Sequence, residues 1–383
     1  METISWPAWP QYGEQERDAV HRVITSNQLF ADREVRLFED QFAEYVGVDY
    51  AIGLGNATEG LHLALAALDV GAGDEVIVTP YSWISSASCV LMQNAIPIFC
   101  DIESESLGLC PADVERRITQ KTKAIILVHM FGYPAKVAQF VELSERYGIP
   151  LIEDASHAHG ASSAGRKMGS FGAISVFSLH QRKSLSVGDG GLLCTNSPTI
   201  YEKVRRLRSF GHEELSYNYR MSEFAGAIGQ VGLSKLDAHN AVRSANAELL
   251  SELLADSPDF KVRLGRSEEV PVFYAVLLDV SNPIPDLDLK LGRMARTGVP
   301  IRKTWGLLHR HPHFNPAVEP ARGLPWRDDD YDGSMRHAEY REVSLPTATR
   351  HCPDKVLELY VHPPTGPREI EFAALELRAI RGQ

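Results

Sequence analysis

The first two-thirds of this 383-residue chain alternate short apolar runs with stretches of helical length. This alternation constrains the fold more than any other feature of the sequence. Runs such as YAIGLG (50–55), EVIVTP (75–80) and PLIEDA (150–155) indicate buried strands, and residues 58–68 and 138–147 indicate helices between such strands. Short connections between them are typical of a parallel sheet wound with helices. We therefore predict an α/β fold with a mainly parallel central sheet flanked by helices.

The chain is too long for one small core. A helical pattern without proline runs from about Met221 to Ala255, and strand-like runs and a helix near 286–297 follow it. This later part indicates an α+β arrangement. We therefore predict a large domain, with the N-terminal segment, at 1–245 and a smaller C-terminal α+β domain at 246–383.

Composition excludes several classes of function. The net charge of −11 disfavours nucleic acid as a partner, because phosphate binding relies on a basic surface. The N-terminus has neither a basic segment nor a long apolar run, so we expect no signal peptide and no membrane span. An odd number of cysteines without a C-x-x-C pair favours reduced thiols in the cytoplasm, buried as core residues. These are Cys89, Cys100, Cys110, Cys194 and Cys352.

Three histidines, His309, His311 and His313, occupy alternate positions in HRHPHFN. Such clusters sometimes bind metal ions. Here Pro312 breaks any regular helix, and no acidic or thiol side chain stands beside the histidines. We therefore expect no metal site.

The stretch VFSLHQRKSLSVGDGGLL (176–193) presents Lys183 in a polar turn that closes with three glycines. A solvated surface lysine is the ordinary interpretation, since ammonium groups are rarely buried. However, Gly188, Gly190 and Gly191 permit a tight turn in which the backbone approaches another group closely. The role of Lys183 therefore depends on its neighbours in the fold.

A possible anion site follows the first strand. The strand ends at a Gly-Asn pair, and a helix begins at about Ala57 or Thr58. The free N–H groups and the positive end of the helix dipole therefore point away from the sheet there. Such a position binds phosphate. Simple capping of the helix by Asn56 or Thr58 is the alternative.

Further polar and aromatic residues follow other strands. Asp154 ends an apolar strand and needs a partner if its charge is buried, or else it caps the next turn. Ser178 ends another strand, where its hydroxyl could bind the same phosphate or form only a turn. Trp83 is either a core residue or a stacking platform for a flat ligand. With Lys183, these residues match pyridoxal 5'-phosphate (PLP), which needs a lysine amine, a carboxylate at its ring nitrogen, an aromatic ring and a phosphate site.

At this point the sequence resembles a known family. The motifs that carry the resemblance are LFEDQFAEYVGVDYAIGLGNATEGLHLAL, GAGDEVIVTPYSW, IPLIEDASHAHGA, FSLHQRKSLSVGDGG, SYNYRMSEFAGAIG and HAEYREVSLP. In this order they resemble the DegT/DnrJ/EryC1/StrS family of sugar aminotransferases, which are PLP enzymes of fold type I, the aspartate aminotransferase class. The resemblance implies a fold-type I PLP-dependent transferase.

The resemblance also implies roles around the cofactor ring. Lys183 matches the lysine that is joined covalently to PLP, and Asp154 matches the carboxylate that faces the pyridine nitrogen. Trp83 matches the aromatic residue stacked on the ring. His157 stands where many members have glutamine or glutamate beside the phenolic oxygen.

Further residues match phosphate contacts. Ala57, Thr58 and Ser178 match contacts within one chain, the first through its backbone amide. Asn218 matches an asparagine that reaches the phosphate of a neighbouring chain. The resemblance therefore implies a homodimer with a shared active site.

The implied reaction moves an amino group from glutamate or glutamine to a keto-sugar or keto-cyclitol, in amino-sugar, aminoglycoside or other antibiotic biosynthesis. Contacts to the acceptor are expected from Arg302, Lys303, Trp305 and His309. Two alternatives are a PLP-dependent sugar dehydratase, in which histidine replaces the lysine, and a non-catalytic relative, which should have lost Lys183, Asp154 or Trp83. This chain keeps all three.

Overall fold

The computed structural model describes residues 3–30, 33–211, 215–314, 340 and 343–382. The late motif HAEYREVSLP lies partly outside these residues. The α-helices are α1 Glu14–Ser26, α2 Arg33–Val46, α3 Ala57–Ala67, α4 Ser85–Met92, α5 Pro111–Arg117, α6 Val137–Tyr147, α7 Pro198–Arg208, α8 Glu223–Leu253, α9 Leu287–Thr297, α10 Pro346–His351 and α11 Pro367–Arg378.

The strands are β1 Tyr50–Leu54, β2 Glu75–Val78, β3 Ile96–Phe99, β4 Thr122–Val128, β5 Leu151–Asp154, β6 Ser162–Ser163, β7 Arg166–Lys167, β8 Ile174–Ser178, β9 Gly191–Thr195, β10 Phe260–Val262, β11 Glu269–Val270, β12 Val276–Val280, β13 Ile301–Lys303 and β14 Val356–Leu359. Seven of them form the main sheet in the order β1-β9-β8-β5-β4-β2-β3. The strands β8, β5, β4, β2 and β3 are each parallel to the next one in this order. Strand β9 is antiparallel to both of its neighbours, β1 and β8. The predicted mainly parallel sheet is therefore confirmed.

Both faces of this sheet are covered, because alternate residues of each strand point to opposite sides. In β4, Ile126 belongs to one apolar cluster together with Leu61 of α3. Its neighbour Ile125 belongs to a second cluster together with Phe140 of α6. All four side chains are at most 1% exposed, and each such burial stabilises the fold by about 1.5–3 kcal/mol.

A second, four-stranded antiparallel sheet has the order β10-β12-β14-β13 and confirms a later part with α+β character. The 31-residue helix α8 precedes it and begins where the Ser222 hydroxyl accepts a hydrogen bond from the N–H of Ala225, at 3.3 Å. The predicted boundary between residues 245 and 246 falls inside α8 and stays a prediction.

The expectation of buried cysteines holds for four of the five. All five cysteines are free thiols, and all except the half-buried Cys110 are buried. None of the helices in the described part of the chain combines the length and the apolar surface that crossing a membrane requires.

Candidate active site

A cavity of about 480 Å³ opens at the carboxyl edge of the main sheet. Seven of the eight residues predicted for the cofactor site line it: Ala57, Thr58, Trp83, Asp154, His157, Ser178 and Lys183. Their strands end side by side, which is where parallel sheets place ligands. Asn218 is the eighth residue and does not line the cavity.

The N-terminus of α3 forms one end of the cavity. The Asn56 side chain accepts a hydrogen bond from the N–H of Glu59 at 3.0 Å, so Asn56 does cap the helix. The N–H groups of Ala57 and Thr58 donate to no group in the part of the chain that the structure describes. The Thr58 hydroxyl lies 2.7 Å from that of Ser85. Capping and anion binding are therefore compatible at this helix end.

Gly191 allows this helix end to lie directly on the sheet. A Cβ atom at residue 191 would be 2.5 Å from the carbonyl carbon of Asn56 and 2.7 Å from the nitrogen of Ala57. Both distances are shorter than real Cβ contacts, and both atoms belong to the backbone. Gly188 has a φ of +97°, which L-residues rarely adopt. Gly191 thus permits the close backbone contact with α3, and Gly188 permits a left-handed backbone conformation in the turn.

Asp154 ends β5 and is only 4% exposed. The Ser86 hydroxyl donates to Oδ2 at 2.7 Å, and the N–H of Ser156 donates to Oδ1 at 3.2 Å. The Ser82 hydroxyl lies 2.8 Å from that of Ser86 and extends this chain of hydrogen bonds. No described residue forms an ion pair with Asp154. A buried carboxylate without a cation is costly, so this site is suited to a positively charged ligand.

Lys183 is partly buried, and its amine faces the ring of Tyr274, with Nζ 4.9 Å from the ring centroid. Burial lowers the pKa of Lys183 to about 8, although the Asp154 carboxylate opposes that decrease. The interpretation of Lys183 as a solvated surface lysine is wrong. About half of the amine is therefore neutral near pH 8.

Trp83 is 60% exposed, which excludes the interpretation as a core residue. Its ring meets the ring of Trp305 edge-on, with centroids 5.7 Å apart and an interplanar angle of 69°. Both rings line the cavity. One broad aromatic face is thus left for a flat ligand.

His157 stacks on Tyr274, with ring centroids 4.1 Å apart and planes 1° from parallel. The N–H of Phe131 donates to Nδ1 of His157 at 3.3 Å, which assigns the ring proton of a neutral imidazole to Nε2. Burial, with a smaller contribution from Lys183, holds the pKa of His157 well below its usual range. His157 is therefore a neutral hydrogen-bond donor.

Sequence reasoning missed several residues of the cavity. Ser86, Tyr274 and Arg182 line it, but none was predicted. The SWISS stretch around Ser86 was a usable signal, because Ser82 lies just before α4 and Ser85 and Ser86 begin it. Arg182 adjoins Lys183 in sequence, but an arginine in a turn is usually solvated and carries no local sign of a site.

The expected acceptor contacts are only partly correct. Arg302 and Trp305 line the cavity. Arg302 forms an ion pair with Glu358. The prediction is corrected for Lys303, which instead forms ion pairs with two aspartates at 2.8 and 2.9 Å, and for His309, which is buried at 1% exposure.

The three histidines of HRHPHFN lie in different surroundings. His309 is buried against Phe99, and the rings of His311 and His313 lie 4.6 Å apart. Across the described residues, no three histidine, cysteine or acidic side chains are placed to hold a metal ion.

Asn218 is exposed and lies in the segment before α8. Its side-chain oxygen accepts two hydrogen bonds from Arg220, at 3.0 and 2.7 Å. Helix α8 is capped by Ser222, so Asn218 is not the cap of this helix. Its contact with a neighbouring chain stays a prediction.

The main sheet, the smaller second sheet and a ligand cavity lined by residues from both parts are the arrangement of the fold-type I transferases. A model of the DegT/DnrJ/EryC1/StrS aminotransferase family matches residues 10–356, and the chain belongs to this family. It is therefore an aminotransferase.

Curated relatives are consistent with this assignment. The chain is 35% identical to an L-glutamine:2-deoxy-scyllo-inosose aminotransferase of Streptomyces kanamyceticus, over 82% of this chain and 80% of that protein. It is also 35% identical to an aminotransferase of the same name from Streptoalloteichus tenebrarius, over 83% of this chain and 82% of that protein.

Solved structures share the fold over almost the whole chain. An aminotransferase from Psychrobacter cryohalolentis is similar with a TM-score of 0.87 and 29% identity, covering 98% of this chain and 99% of that chain. A 3-amino-5-hydroxybenzoic acid synthase is similar with a TM-score of 0.88 and 26% identity, covering both chains fully at 100%.

Proposed function

We propose that this aminotransferase uses PLP to move the amino group of L-glutamine to a keto-cyclitol. One observation carries the proposal: the buried Asp154 carboxylate, which has no cationic partner among the described residues, shares a cavity with the Lys183 amine. A ligand with a protonated ring nitrogen and an aldehyde fits both groups. The cavity volume of about 480 Å³ is ordinary for a small-molecule site.

The phosphate end of the cofactor fits the opposite wall. The N–H groups of Ala57 and Thr58 offer two donors at the positive end of α3. The hydroxyls of Thr58 and Ser178 add further donors. The exposed face of Trp83 would cover the ring, and Nε2 of His157 would donate to the phenolic oxygen, where many family members have glutamine or glutamate.

When bound, PLP supplies an aldehyde that carries the amino group and a ring that accepts electrons. The Asp154 carboxylate, held by Ser86 and Ser156, keeps a proton on the ring nitrogen. Nζ of Lys183 would take the proton from Cα of the donor and deliver it to the aldehyde-derived carbon of the cofactor, on the other side of the shared nitrogen. The lowered pKa of about 8 lets the amine act as a base near neutral pH.

The proposed donor and acceptor are inferred from the names of the curated relatives and from the charge of Arg182. The curated relatives carry L-glutamine and 2-deoxy-scyllo-inosose in their names, and this supports glutamine as donor and a cyclitol ketone as acceptor. Arg182 is exposed and forms no ion pair with a described residue, so its guanidinium would meet the carboxylate of the donor. Glutamate as donor and a keto-sugar as acceptor are the alternatives that the assay separates.

We also propose a homodimer that completes the site through Asn218. The surface near Asn218 carries exposed apolar side chains: Phe30 and Phe210 are each 52% exposed, and Leu215 is 99% exposed. The guanidinium of Arg220 lies over both phenylalanine rings, at 4.1 and 3.5 Å. Such a patch suits burial against a second chain.

The test combines chemical labelling with an assay of amino transfer. Borohydride reduction of the PLP-loaded protein should fix the cofactor on Lys183, as peptide mapping would show. Lys183→Ala should lose amino transfer by several orders of magnitude, because nucleophile and base are removed together. Lys303→Ala is the matched control, since Lys303 lies outside the cavity. A label on another lysine would contradict the proposal.

The same preparation separates the alternatives. Amino transfer from glutamine or glutamate to a panel of keto-cyclitols and keto-sugars should release one 2-oxo acid per amine formed. A dehydratase would convert its sugar without releasing this 2-oxo acid. A non-catalytic relative would bind PLP at most and transfer nothing.

A further inference from the structure

The N-terminal segment runs beside the turn that carries Lys183, although 174 residues separate them in sequence. The indole Nε1 of Trp9 donates a hydrogen bond to the carbonyl oxygen of Lys183 at 2.9 Å. Three residues later, the Tyr12 hydroxyl lies 3.1 Å from the hydroxyl of Ser186. Residues 9–12 therefore run alongside residues 183–186 and form hydrogen bonds with both ends of that stretch.

Trp9 is itself held in a fixed orientation. Its ring stacks on His362, with centroids 5.2 Å apart and an interplanar angle of 29°. It also meets His239 edge-on at 5.4 Å. The guanidinium of Arg243 lies 4.9 Å from the ring centroid. With these contacts on several sides, the indole N–H has little freedom to turn away from Lys183.

Arg243 supports the next residue of the same turn. It is fully buried, and its Nη2 donates to the carbonyl oxygen of Ser184 at 3.4 Å. Its other hydrogen bonds go to His362 at 2.9 Å and to Asn240 at 3.0 Å, and burial lowers its pKa to about 9. No acidic side chain among the described residues pairs with it. Two consecutive carbonyls, of Lys183 and Ser184, are thus each bound by a distant side chain.

We propose that Trp9 is a positioning residue for Lys183, whose carbonyl it holds so that the amine stays inside the cavity shared with Asp154. The inference rests on the proposed function of Lys183. The Lys183 carbonyl is partly buried, and without the indole donor it would have to bond water or move towards another donor. Because the amine stands at the end of a four-carbon stem, a small movement of the backbone displaces it or lets solvent reach it.

The test uses Trp9→Phe, which removes the N–H and keeps an aromatic ring. Trp6→Phe is the matched control, because Trp6 is half-buried beside Trp9 and its indole bonds no described residue. In each cofactor-free protein, the pH dependence of acylation of Lys183, measured by mass spectrometry, gives the pKa of the amine. This readout involves neither PLP nor substrate, so it is independent of the labelling that tests the proposed function.

In Trp9→Phe, water should reach the amine, and the pKa of Lys183 should rise from about 8 towards its usual 10.5. A rise of one pH unit would reduce acylation at pH 8 about fivefold. The titratable groups that face the amine are Asp154, His157, His159, His180 and Tyr274, and neither tryptophan variant alters them. Trp6→Phe should match the wild type.

An unchanged pKa in Trp9→Phe, with or without a lower melting temperature, would overturn the inference, because Trp9 would then be only a packing residue. An equal change in both variants would overturn it as well. If Trp9→Phe does not fold, 3-benzothienylalanine at residue 9 keeps the bicyclic ring and lacks only the N–H. The same rise in the pKa is expected from it, and its absence would refute the role of the hydrogen bond.

Discussion

Ser86→Ala is the most informative perturbation of the site, because the Ser86 hydroxyl bonds the Asp154 carboxylate directly. Its hydroxyl donates to Oδ2 of Asp154 at 2.7 Å, and both side chains are buried. Alanine removes the donor and leaves a space too small to change the backbone. The carboxylate then keeps the hydrogen bond from the N–H of Ser156 and loses the shorter one.

The size of the effect follows from the charge on the acceptor. A hydrogen bond to a charged group contributes about 1.5–3 kcal/mol, and a buried group cannot fully replace it with water. At about 1.4 kcal/mol for each factor of ten, Ser86→Ala should lower kcat for amino transfer roughly 12- to 140-fold. The melting temperature should change little in comparison, because one small side chain is truncated.

A double-mutant cycle with Asp154→Asn shows whether Ser86 acts through Asp154. If it does, the double variant should be within about twofold of Asp154→Asn alone, since the hydroxyl has no charge left to support. Ser85→Ala is the control: its hydroxyl bonds Thr58, so its effect should add to that of Asp154→Asn. A Ser86→Ala enzyme with nearly normal kcat, or an effect that adds fully to Asp154→Asn, would refute the reasoning.

Two further predictions concern the charge and the assembly of the site. Asp154→Asn should lower the pKa of Lys183 below about 8 in the cofactor-free protein, because the carboxylate raises that pKa and its loss leaves the effect of burial unopposed. Acylation of Lys183 as a function of pH measures this, and a higher pKa would contradict the placement of the two groups. Mixing Lys183→Ala chains with Asn218→Ala chains should restore partial activity, since each heterodimer has one intact site. Verified heterodimers without activity, when Asn218→Ala alone is severely impaired, would contradict the shared site.

The elements that position the site could be predicted from the sequence because their signals are local. Apolar runs mark β1 and β5, and the residue after each run, near Ala57 or at Asp154, therefore lies at the carboxyl edge of the sheet. The helix predicted at 58–68 is observed at Ala57–Ala67, within one residue at each end. Helix α8 starts at Glu223, two residues later than predicted, because Ser222 caps it.

Contacts between distant residues could not be predicted in this way. Ser86 and Asp154 are 68 residues apart, and Trp9 and Lys183 are 174 apart, so no periodicity in the sequence connects them. His309 lies in a stretch that looks polar, yet packing against Phe99 buries it. Tyr274 shows no local sign of its contact with Lys183, because that contact depends on how the second sheet docks.

The contact at Gly191 has a consequence for anyone who wants to alter this enzyme. Strand β9 and the start of α3 touch backbone to backbone there, so the depth of the helix relative to the sheet is fixed by the absence of a single carbon atom. Any residue other than glycine at position 191 would push the start of α3 away from β9, whereas changes to the side chains that line the cavity leave this backbone contact in place.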